Sequence, residues 1–400
     1  MKLDNPTRRI YLGSELVSSV DRFPSPIELD DDDDERTPTA PDLGSVARLA
    51  RTAQRGVLDY ISIDDTLAGN PPFSGRRRGG LDSVRLATRL ATATEGICLI
   101  PTVRSNWVEP SSLLEALVTL EITSEGRHGW ELQLHEHPSP QMHSGELLSA
   151  IVHDTWSHQE PLTKLAASAR AMRRQGLSRR AGGSASTSAG GGSGPGPGAR
   201  PGSGKGPGVP TGSRRPAKRD PTDAASNRPV TVIRADTAPA AALAAERADI
   251  ARIAAVSMDD AAVKRDELLS GASRFGRTPD DIKVLVDLTV TLASEPAQAE
   301  ARKDLAEGII GQRLGGEHVR YVGTPAGLAE RCVEWTEQGA CDGFTFLPTS
   351  LPVDLMMVVD GVTPALAAAS HFPSAYGRGT SHATVPRSIP VRRRASATPR

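Results

Sequence analysis

Short apolar segments alternate with helical patterns in the first third of the chain, and this alternation most restricts what the chain can fold into. Strands are predicted at residues 57–63, 96–101 and 130–134, with helices at residues 82–93 and 110–123 between them. Strands that follow one another through short helical crossovers run parallel. This part of the chain therefore predicts an α/β fold built on a parallel sheet.

One later stretch, residues 321–351, combines a loop, a helix and a strand. Thr324 is predicted to cap a helix that begins at Pro325, because a hydroxyl followed by proline is a typical helix start. A glycine ends the helix, and a short apolar strand at residues 343–347 follows. Ligands bind at the carboxyl ends of strands in α/β barrels, so the polar turn after this strand is a candidate binding position.

Composition excludes several classes of protein. The formal net charge is −1, so no overall field attracts nucleic acid or an anionic membrane surface. The three cysteines, Cys98, Cys332 and Cys341, have no metal-binding spacing, which favours a reducing cytoplasm over a disulfide scaffold. The amino terminus has no signal-peptide pattern, and no apolar run approaches the length of a membrane span. We therefore expect a cytoplasmic protein.

Two segments have compositions that do not predict a packed core. Residues 30–35 are acidic, which indicates a solvated loop, although a metal site or a basic partner remains open. Residues 161–219 contain no Asp or Glu and twelve Lys and Arg, with many Gly, Ser and Pro. This segment cannot bury enough apolar surface to offset its ordering entropy, so we predict disorder. An inert insertion and an electrostatic tether to nucleic acid both remain open.

Several motifs resemble one enzyme family. They are LDYISIDDTLA (58–68), GICLIPTVRSNWVEP (96–110), LEITSEGRHGW (120–130) and GACDGFTFLPTSLP (339–352). Together they resemble the flavin-dependent, luciferase-like monooxygenases, in the branch that contains nitrilotriacetate and dibenzothiophene-sulfone monooxygenases. The resemblance covers roughly residues 43–156 and 228–366.

The resemblance implies a single (β/α)8 TIM-type barrel. Its amino-terminal half would occupy residues 1–160 and its carboxyl-terminal half residues 228–370. The basic insertion would lie between them at residues 161–227, and a disordered tail would follow at residues 371–400. The implied activity is oxidation of a small organic substrate with reduced FMN and O2. A separate NAD(P)H-flavin reductase would supply the reduced FMN. A deazaflavin in place of FMN and a homodimer are further implications.

The resemblance also implies five cofactor-binding residues. Asp65 matches the family's flavin-contacting acid, and Thr102 and Ser105 lie in the loop after the next strand. His135 falls near a family histidine, and Thr237 is the best remaining donor to a phosphate at the turn after residue 234. Each has an ordinary structural alternative, such as a loop cap, a local turn or a surface histidine. No catalytic triad or metal site is implied, because a reduced flavin reacts with O2 by itself.

Two other interpretations remain open. The family's asparagine after Trp130 is replaced by Glu131, and the turn at residues 235–239 contains Asp236 and Pro239 instead of glycines. These changes suggest a degenerate, non-catalytic paralogue or partner subunit. Alternatively, the basic segment makes the chain a nucleic-acid or scaffold binder.

Overall fold

The structure is a computed structural model that describes residues 8–17, 43–64, 81–104, 108–134, 149–150, 152, 228–314 and 318–376. Nine strands form a single parallel sheet within these residues. They are β1 (Tyr11–Glu15), β2 (Tyr60–Ile63), β3 (Cys98–Arg104), β4 (Gly129–Gln133), β5 (Val230–Arg234), β6 (Ile250–Ile253), β7 (Lys283–Leu292), β8 (Val319–Gly323) and β9 (Gly343–Pro348).

Eight of these strands close into a barrel. Strands β1 to β6 lie side by side in chain order, β6 pairs with β7, β7 with β9, and β9 returns to β1. Strands β4 and β5 pair directly, with Gly129 opposite Val230, although a long segment of chain separates them. The two parts of the chain thus share one ring of strands. This confirms the predicted (β/α)8 TIM-type barrel, while the segment predicted as an insertion, residues 161–227, lies outside the described residues.

Helices follow most of the strands. They are α1 (Leu43–Arg55), α2 (Asp82–Ala91), α3 (Pro110–Ser124), α4 (Ala238–Arg247), α5 (Met258–Arg274), α6 (Pro296–Ile310), α7 (Pro325–Glu337), α8 (Val353–Met357) and α9 (Thr363–Ala368). One π-helical turn, Val358–Val362, joins α8 to α9. The predicted start of α7 is confirmed, because the Thr324 hydroxyl accepts a hydrogen bond from the Gly327 N–H.

The extra strand β8 was not predicted. Strand β7 is ten residues long, and its first four residues pair with β6 while Leu288–Leu292 pair with β8 along the same edge. Strand β8 therefore pairs with the same edge of β7 as β6 does, beyond the point where the shorter β6 ends. Its side chains are mostly half-exposed, so the sequence carries no apolar signal for it.

Three aspartates fix the amino-terminal end of the barrel. Asp59, Asp249 and Asp342 each stand immediately before a strand, and each carboxylate accepts the backbone N–H of a residue in the neighbouring strand. These bonds come from Leu12, Thr231 and Val284, at 2.8, 2.8 and 2.9 Å. Arginines pair with all three: Arg9 with Asp59, Arg228 with Asp249, and both Arg8 and Arg265 with Asp342. Buried, charge-assisted bonds of this kind hold neighbouring strands together at the end opposite to the expected site.

The chain remains ordered slightly beyond the predicted end of the barrel. The Ile10 N–H donates to the His371 carbonyl, and the Tyr376 hydroxyl donates to the Leu58 carbonyl at 2.7 Å. Residues 371–376, which the sequence assigned to the tail, therefore pack against the amino-terminal end of the barrel. The rest of the predicted tail lies outside the described residues.

Candidate functional site

The barrel interior changes from apolar to polar along its axis. Near the amino ends of the strands it is filled by one apolar cluster, comprising Tyr60, Cys98, Ile100, Val230, Val232, Ile250 and Leu285. Polar side chains occupy the next interior positions toward the carboxyl ends. They are Glu15, Ser62, Thr102, Glu131, Arg252, Asp287 and Thr345, all of them buried. The Tyr60 hydroxyl bonds Thr345 Oγ1 at the boundary between the two layers. The apolar cluster fills the lower part of the barrel, so in the described residues the place for a ligand is at the carboxyl ends.

Arg252 is the centre of the polar layer. Its Nε and Nη2 donate to the two Asp287 carboxylate oxygens at 2.8 and 2.9 Å. Its Nη1 donates to Glu131 Oε2 at 2.7 Å, and its Nη2 also donates to Glu15 Oε1 at 2.7 Å. Ser62 Oγ adds a bond of 3.0 Å to the same Glu131 oxygen. We call Arg252, Glu15, Glu131 and Asp287 the interior ion cluster; its members come from four different strands.

Arg252 and Asp287 stay charged at neutral pH. Burial alone would lower the pKa of Arg252, but the carboxylates of Asp287 and Glu131 raise it well above its ordinary value. Burial alone would raise the pKa of Asp287, but the Arg252 guanidinium lowers it below the ordinary range of an aspartate. One guanidinium pairs with three carboxylate side chains, and Arg234 Nη2 lies 3.9 Å from the Asp287 carboxylate. Burying charged groups is costly even when they are paired, so this layer is more than packing.

Two further ion pairs stand above the interior ion cluster. Arg104 Nη2 lies 4.0 Å from Asp64 Oδ1, and Arg104 Nε donates to Gln133 Oε1 at 3.3 Å. On the other side, Arg234 Nε lies 3.1 Å from Asp236 Oδ2, and its Nη2 lies 3.9 Å from Asp287 Oδ2. These side chains form the rim of the candidate site, where the interior meets the loops that follow the strands.

His318 contributes a buried ring nitrogen at the same rim. It stands directly before β8, and the next residue, Val319, donates its N–H to the Ala255 carbonyl just beyond β6. Within the described residues, His318 Nδ1 is buried and has no hydrogen-bond partner. Burial lowers the pKa of His318, although the Asp287 carboxylate opposes this. The neutral imidazole therefore offers one donor and one acceptor at pH 7.

Comparison with known proteins identifies the family. The family model described as luciferase-like monooxygenase matches residues 26–321. The chain belongs to the luciferase-like monooxygenase family. The relationship suggested by the sequence motifs is thus confirmed, and the barrel described above is this family member's scaffold.

Individual relatives match the chain only in part. N-acetyl-S-(2-succino)cysteine monooxygenase of Bacillus subtilis (strain 168) is 41% identical over 64 residues, which cover 16% of this chain and 14% of that protein. Nitrilotriacetate monooxygenase component A of Aminobacter aminovorans is 29% identical over 105 residues, covering 23% of each chain. The matched parts therefore span less than a quarter of either curated relative.

A solved structure matches over nearly the full length. The EDTA monooxygenase of Chelativorans sp. BNC1 aligns with a TM-score of 0.59, covering 96% of this chain and all of that one, at 20% identity. At this identity the likeness concerns the fold alone. It agrees with the closed luciferase-like barrel.

The structure describes two of the five predicted cofactor-binding residues. Thr102 lies in the polar layer opposite Glu131, with its carbonyl accepting a bond of 2.7 Å from Ser83 Oγ. Thr237 is exposed and caps α4, and its hydroxyl accepts from the Ala240 N–H at 3.4 Å. The two residues therefore stand at different levels of the site. Asp65, Ser105 and His135 lie outside the described residues, so their assignments stay predictions.

Sequence reasoning missed the charged residues that dominate the site. Arg252 and Asp287 were not singled out, although each is a charged residue within an otherwise apolar strand, IARI and KVLVDLTVTL. Such a position usually means a buried, paired charge, because an isolated one would be too costly. Asp64 was also not singled out, although it shares the period-two alternation of Tyr60 and Ser62, whose side chains face the interior.

Metal chemistry and membrane insertion receive no support from the described residues. Over these ranges, no three His, Cys, Asp or Glu side chains are grouped so that they could hold a metal ion. No helix in the described part of the chain is long and apolar enough to cross a membrane.

Proposed function

We propose that this protein is a flavin-dependent monooxygenase that uses reduced FMN and O2 to oxidise a small organic substrate at the carboxyl end of the barrel. The observation that carries the proposal is a family-matched barrel whose interior is closed at one end and lined with polar groups at the other. The carboxyl end is where barrels of this kind bind their ligands.

The described residues suit the ring of a flavin. Thr102 lies buried in the polar layer, and His318 presents a buried Nδ1 that has no hydrogen-bond partner among the described residues. The polar edge of an isoalloxazine carries both donors and acceptors, so each of these two groups would pair with it. When bound, the reduced flavin supplies the electrons that activate O2.

The chain's own residues would position the reactants and exclude water. The interior ion cluster is held by four hydrogen bonds from one guanidinium, so it forms a rigid floor for the bound ligands. His318 is neutral at pH 7 and lies at the rim, where its ring nitrogens would accept or donate a hydrogen bond at the edge of the flavin ring. We assign no covalent role to any residue.

The reduced cofactor requires a source of electrons. One relative is named as component A of a monooxygenase. We therefore propose a separate NAD(P)H-flavin reductase as partner. A homodimer is part of the same proposal. A deazaflavin is the alternative cofactor, and it would be held by the same ring-edge groups.

Anaerobic titration of the purified full-length protein with reduced FMN tests the proposal. We expect saturable binding at micromolar concentration, and O2 consumption that depends on substrate when a flavin reductase and NADH are added. Parallel titration with a reduced deazaflavin separates the two cofactors. Absence of binding by both would contradict the proposal.

A non-catalytic paralogue is the second candidate, and specific residues favour it. Glu131 takes the position next to Trp130 where the family resemblance expects asparagine, and it belongs to the interior ion cluster. The acidic layer opposes an anionic reduced flavin. Binding of reduced flavin without O2 consumption over a broad panel of substrates would favour this candidate, whereas turnover of any substrate would exclude it.

A further inference from the structure

Acidic side chains occupy the helix amino termini at the rim of the candidate site. In a (β/α)8 barrel every helix that follows a barrel strand begins at the carboxyl end of that strand. Asp82 lies in the first turn of α2, Glu109 caps α3 by accepting from the Ser112 N–H at 3.0 Å, and Asp260 accepts from the Val256 N–H at the start of α5. Glu295 is the N-cap residue of α6. A phosphate normally binds to the partial positive charge of a helix amino terminus. At these helices the chain's own carboxylates already offset that charge.

The start of α4 offers a phosphate almost no free donor. Of its first backbone groups, Pro239 has no N–H, Ala240 donates to the Thr237 hydroxyl and Ala241 donates to the Thr237 carbonyl. The acidic residue just before this helix, Asp236, is about two-fifths exposed and is paired with Arg234. A phosphate at this turn would lie close to the Asp236 carboxylate.

Helix α7 has neither an acidic N-cap residue nor an acidic residue in its first turn. Three of its first positions still offer no free donor, because the Gly327 N–H bonds the Thr324 hydroxyl, the Leu328 N–H bonds the Thr324 carbonyl, and Pro325 has no N–H. This helix follows the extra strand β8 and not a strand of the closed ring. Among the described residues, it therefore adds little to an anion site at the mouth of the ring.

The arginines of the described rim are also committed to carboxylates. Arg104 faces Asp64, Arg234 faces Asp236 and Asp287, and Arg302 pairs with Asp354 at 2.7 Å. Arginine is the residue that binds phosphate most specifically, through paired N–H donors. In the described part of the site, each guanidinium already has an anionic partner.

We infer that the described residues of the rim add no affinity for the terminal phosphate of a flavin, so that reduced riboflavin binds about as tightly as reduced FMN, and that Asp236 is the residue that cancels the phosphate's contribution. This inference rests on the proposed flavin-dependent function. The ring-edge groups, Thr102 and His318, then carry the binding, and the ligand class is a flavin with or without phosphate.

Competing titrations of full-length protein test this inference. Dissociation constants for reduced riboflavin and reduced FMN are measured anaerobically at low ionic strength, for the wild type and for Asp236→Asn. We expect the two wild-type constants to agree within about threefold. In Asp236→Asn, FMN should bind about five- to tenfold more tightly while riboflavin changes less than about twofold, because only the phosphate experiences the removed charge.

Matched variants keep the outcome decisive. Asp280→Asn removes a fully exposed carboxylate in the turn before β7, at the opposite end of the barrel, and should leave both constants unchanged. Asp236→Ala repeats the test without the side-chain amide of Asp236→Asn, which could form new hydrogen bonds. Two results would overturn this inference without touching the proposed function. One is that wild-type protein binds FMN more than about tenfold more tightly than riboflavin. The other is that the ratio of the FMN and riboflavin dissociation constants is unchanged in both Asp236 variants. Binding of neither flavin would overturn the proposed function with it.

Discussion

Arg252 and Asp287 face each other from neighbouring strands inside the barrel, joined by two hydrogen bonds of 2.8 and 2.9 Å. Both side chains are fully buried, and Glu15 and Glu131 share the same guanidinium. Because these carboxylates come from strands on both sides of the long segment between β4 and β5, the guanidinium links the two parts of the barrel. Its removal would take from three buried carboxylates the guanidinium that they share.

The variant Arg252→Met should therefore be strongly destabilised. Leaving buried charges without their partner typically costs about 3–5 kcal/mol in free energy of unfolding. Urea unfolding followed by circular dichroism measures this change. Arg55→Met is the matched control, since Arg55 pairs with Asp360 on the surface and such pairs contribute at most about 1 kcal/mol. Equal effects of the two variants would contradict the importance assigned to the interior ion cluster.

Acid should weaken the fold through Asp287. Its pKa in the folded protein lies below the unfolded value of about 3.9, so its contribution to stability is complete above that pH. The contribution is lost as the pH falls through the folded value. Urea unfolding between pH 7 and pH 3 should show the free energy of unfolding declining below about pH 4, and Asp287→Asn should flatten that decline.

Asp354 provides a contrast to Asp287 in the same experiment. Burial raises its pKa despite the backbone N–H groups of Leu292 and Ser350 and the nearby Arg302. Because its pKa is higher in the folded than in the unfolded protein, Asp354 contributes more to the free energy of unfolding as the pH falls. This opposes the effect of Asp287. Asp354→Asn should consequently steepen the acid-induced decline. Identical pH profiles for the two asparagine variants would refute the opposite assignments.

Asp249 should affect stability without affecting the site. Its carboxylate receives two hydrogen bonds from the buried Arg228 and one from the Thr231 N–H, all at the amino-terminal end of the barrel. Asp249→Ala takes the carboxylate from that buried guanidinium, so we expect a loss of about 3–5 kcal/mol in free energy of unfolding. Below the unfolding transition, the dissociation constant for reduced flavin should stay within about twofold of the wild type, because barrels of this kind bind ligands at the opposite, carboxyl end.

The barrel could be predicted from the sequence because its signals are local. Thr324 and Pro325 start a helix by capping chemistry alone, and the apolar runs of β3 and β9 are unambiguous. The extra strand β8 has no such signal, since it becomes a strand only because β7 extends past β6. Strand β8 forms because its partner strand β7 is long, and the periodicity of the β8 sequence carries no information about the length of β7.

The site could be predicted only in outline, for a related reason. The apolar run at residues 57–63 places Asp64 and Asp65 after a strand buried on both faces, so alternation does not tell which aspartate turns inward. The partners of Arg252 lie 35, 121 and 237 positions away along the chain. Only the closed ring, in which β6 faces β1 and β4, brings these charges together.

Thr102 is the predicted site residue whose role the structure makes testable. Thr102→Val keeps the shape of a buried side chain in the polar layer and removes only its hydroxyl. Loss of one hydrogen bond to the flavin ring should weaken binding of reduced flavin by about 0.5–1.5 kcal/mol, roughly two- to tenfold. The control Thr88→Val removes a hydroxyl that bonds the Val84 carbonyl within α2, away from the interior, and should leave the dissociation constant unchanged. If Thr102→Val binds reduced flavin as tightly as the wild type while its unfolding is unaltered, the hydroxyl does not contact the ring, and His318 becomes the principal candidate for that contact.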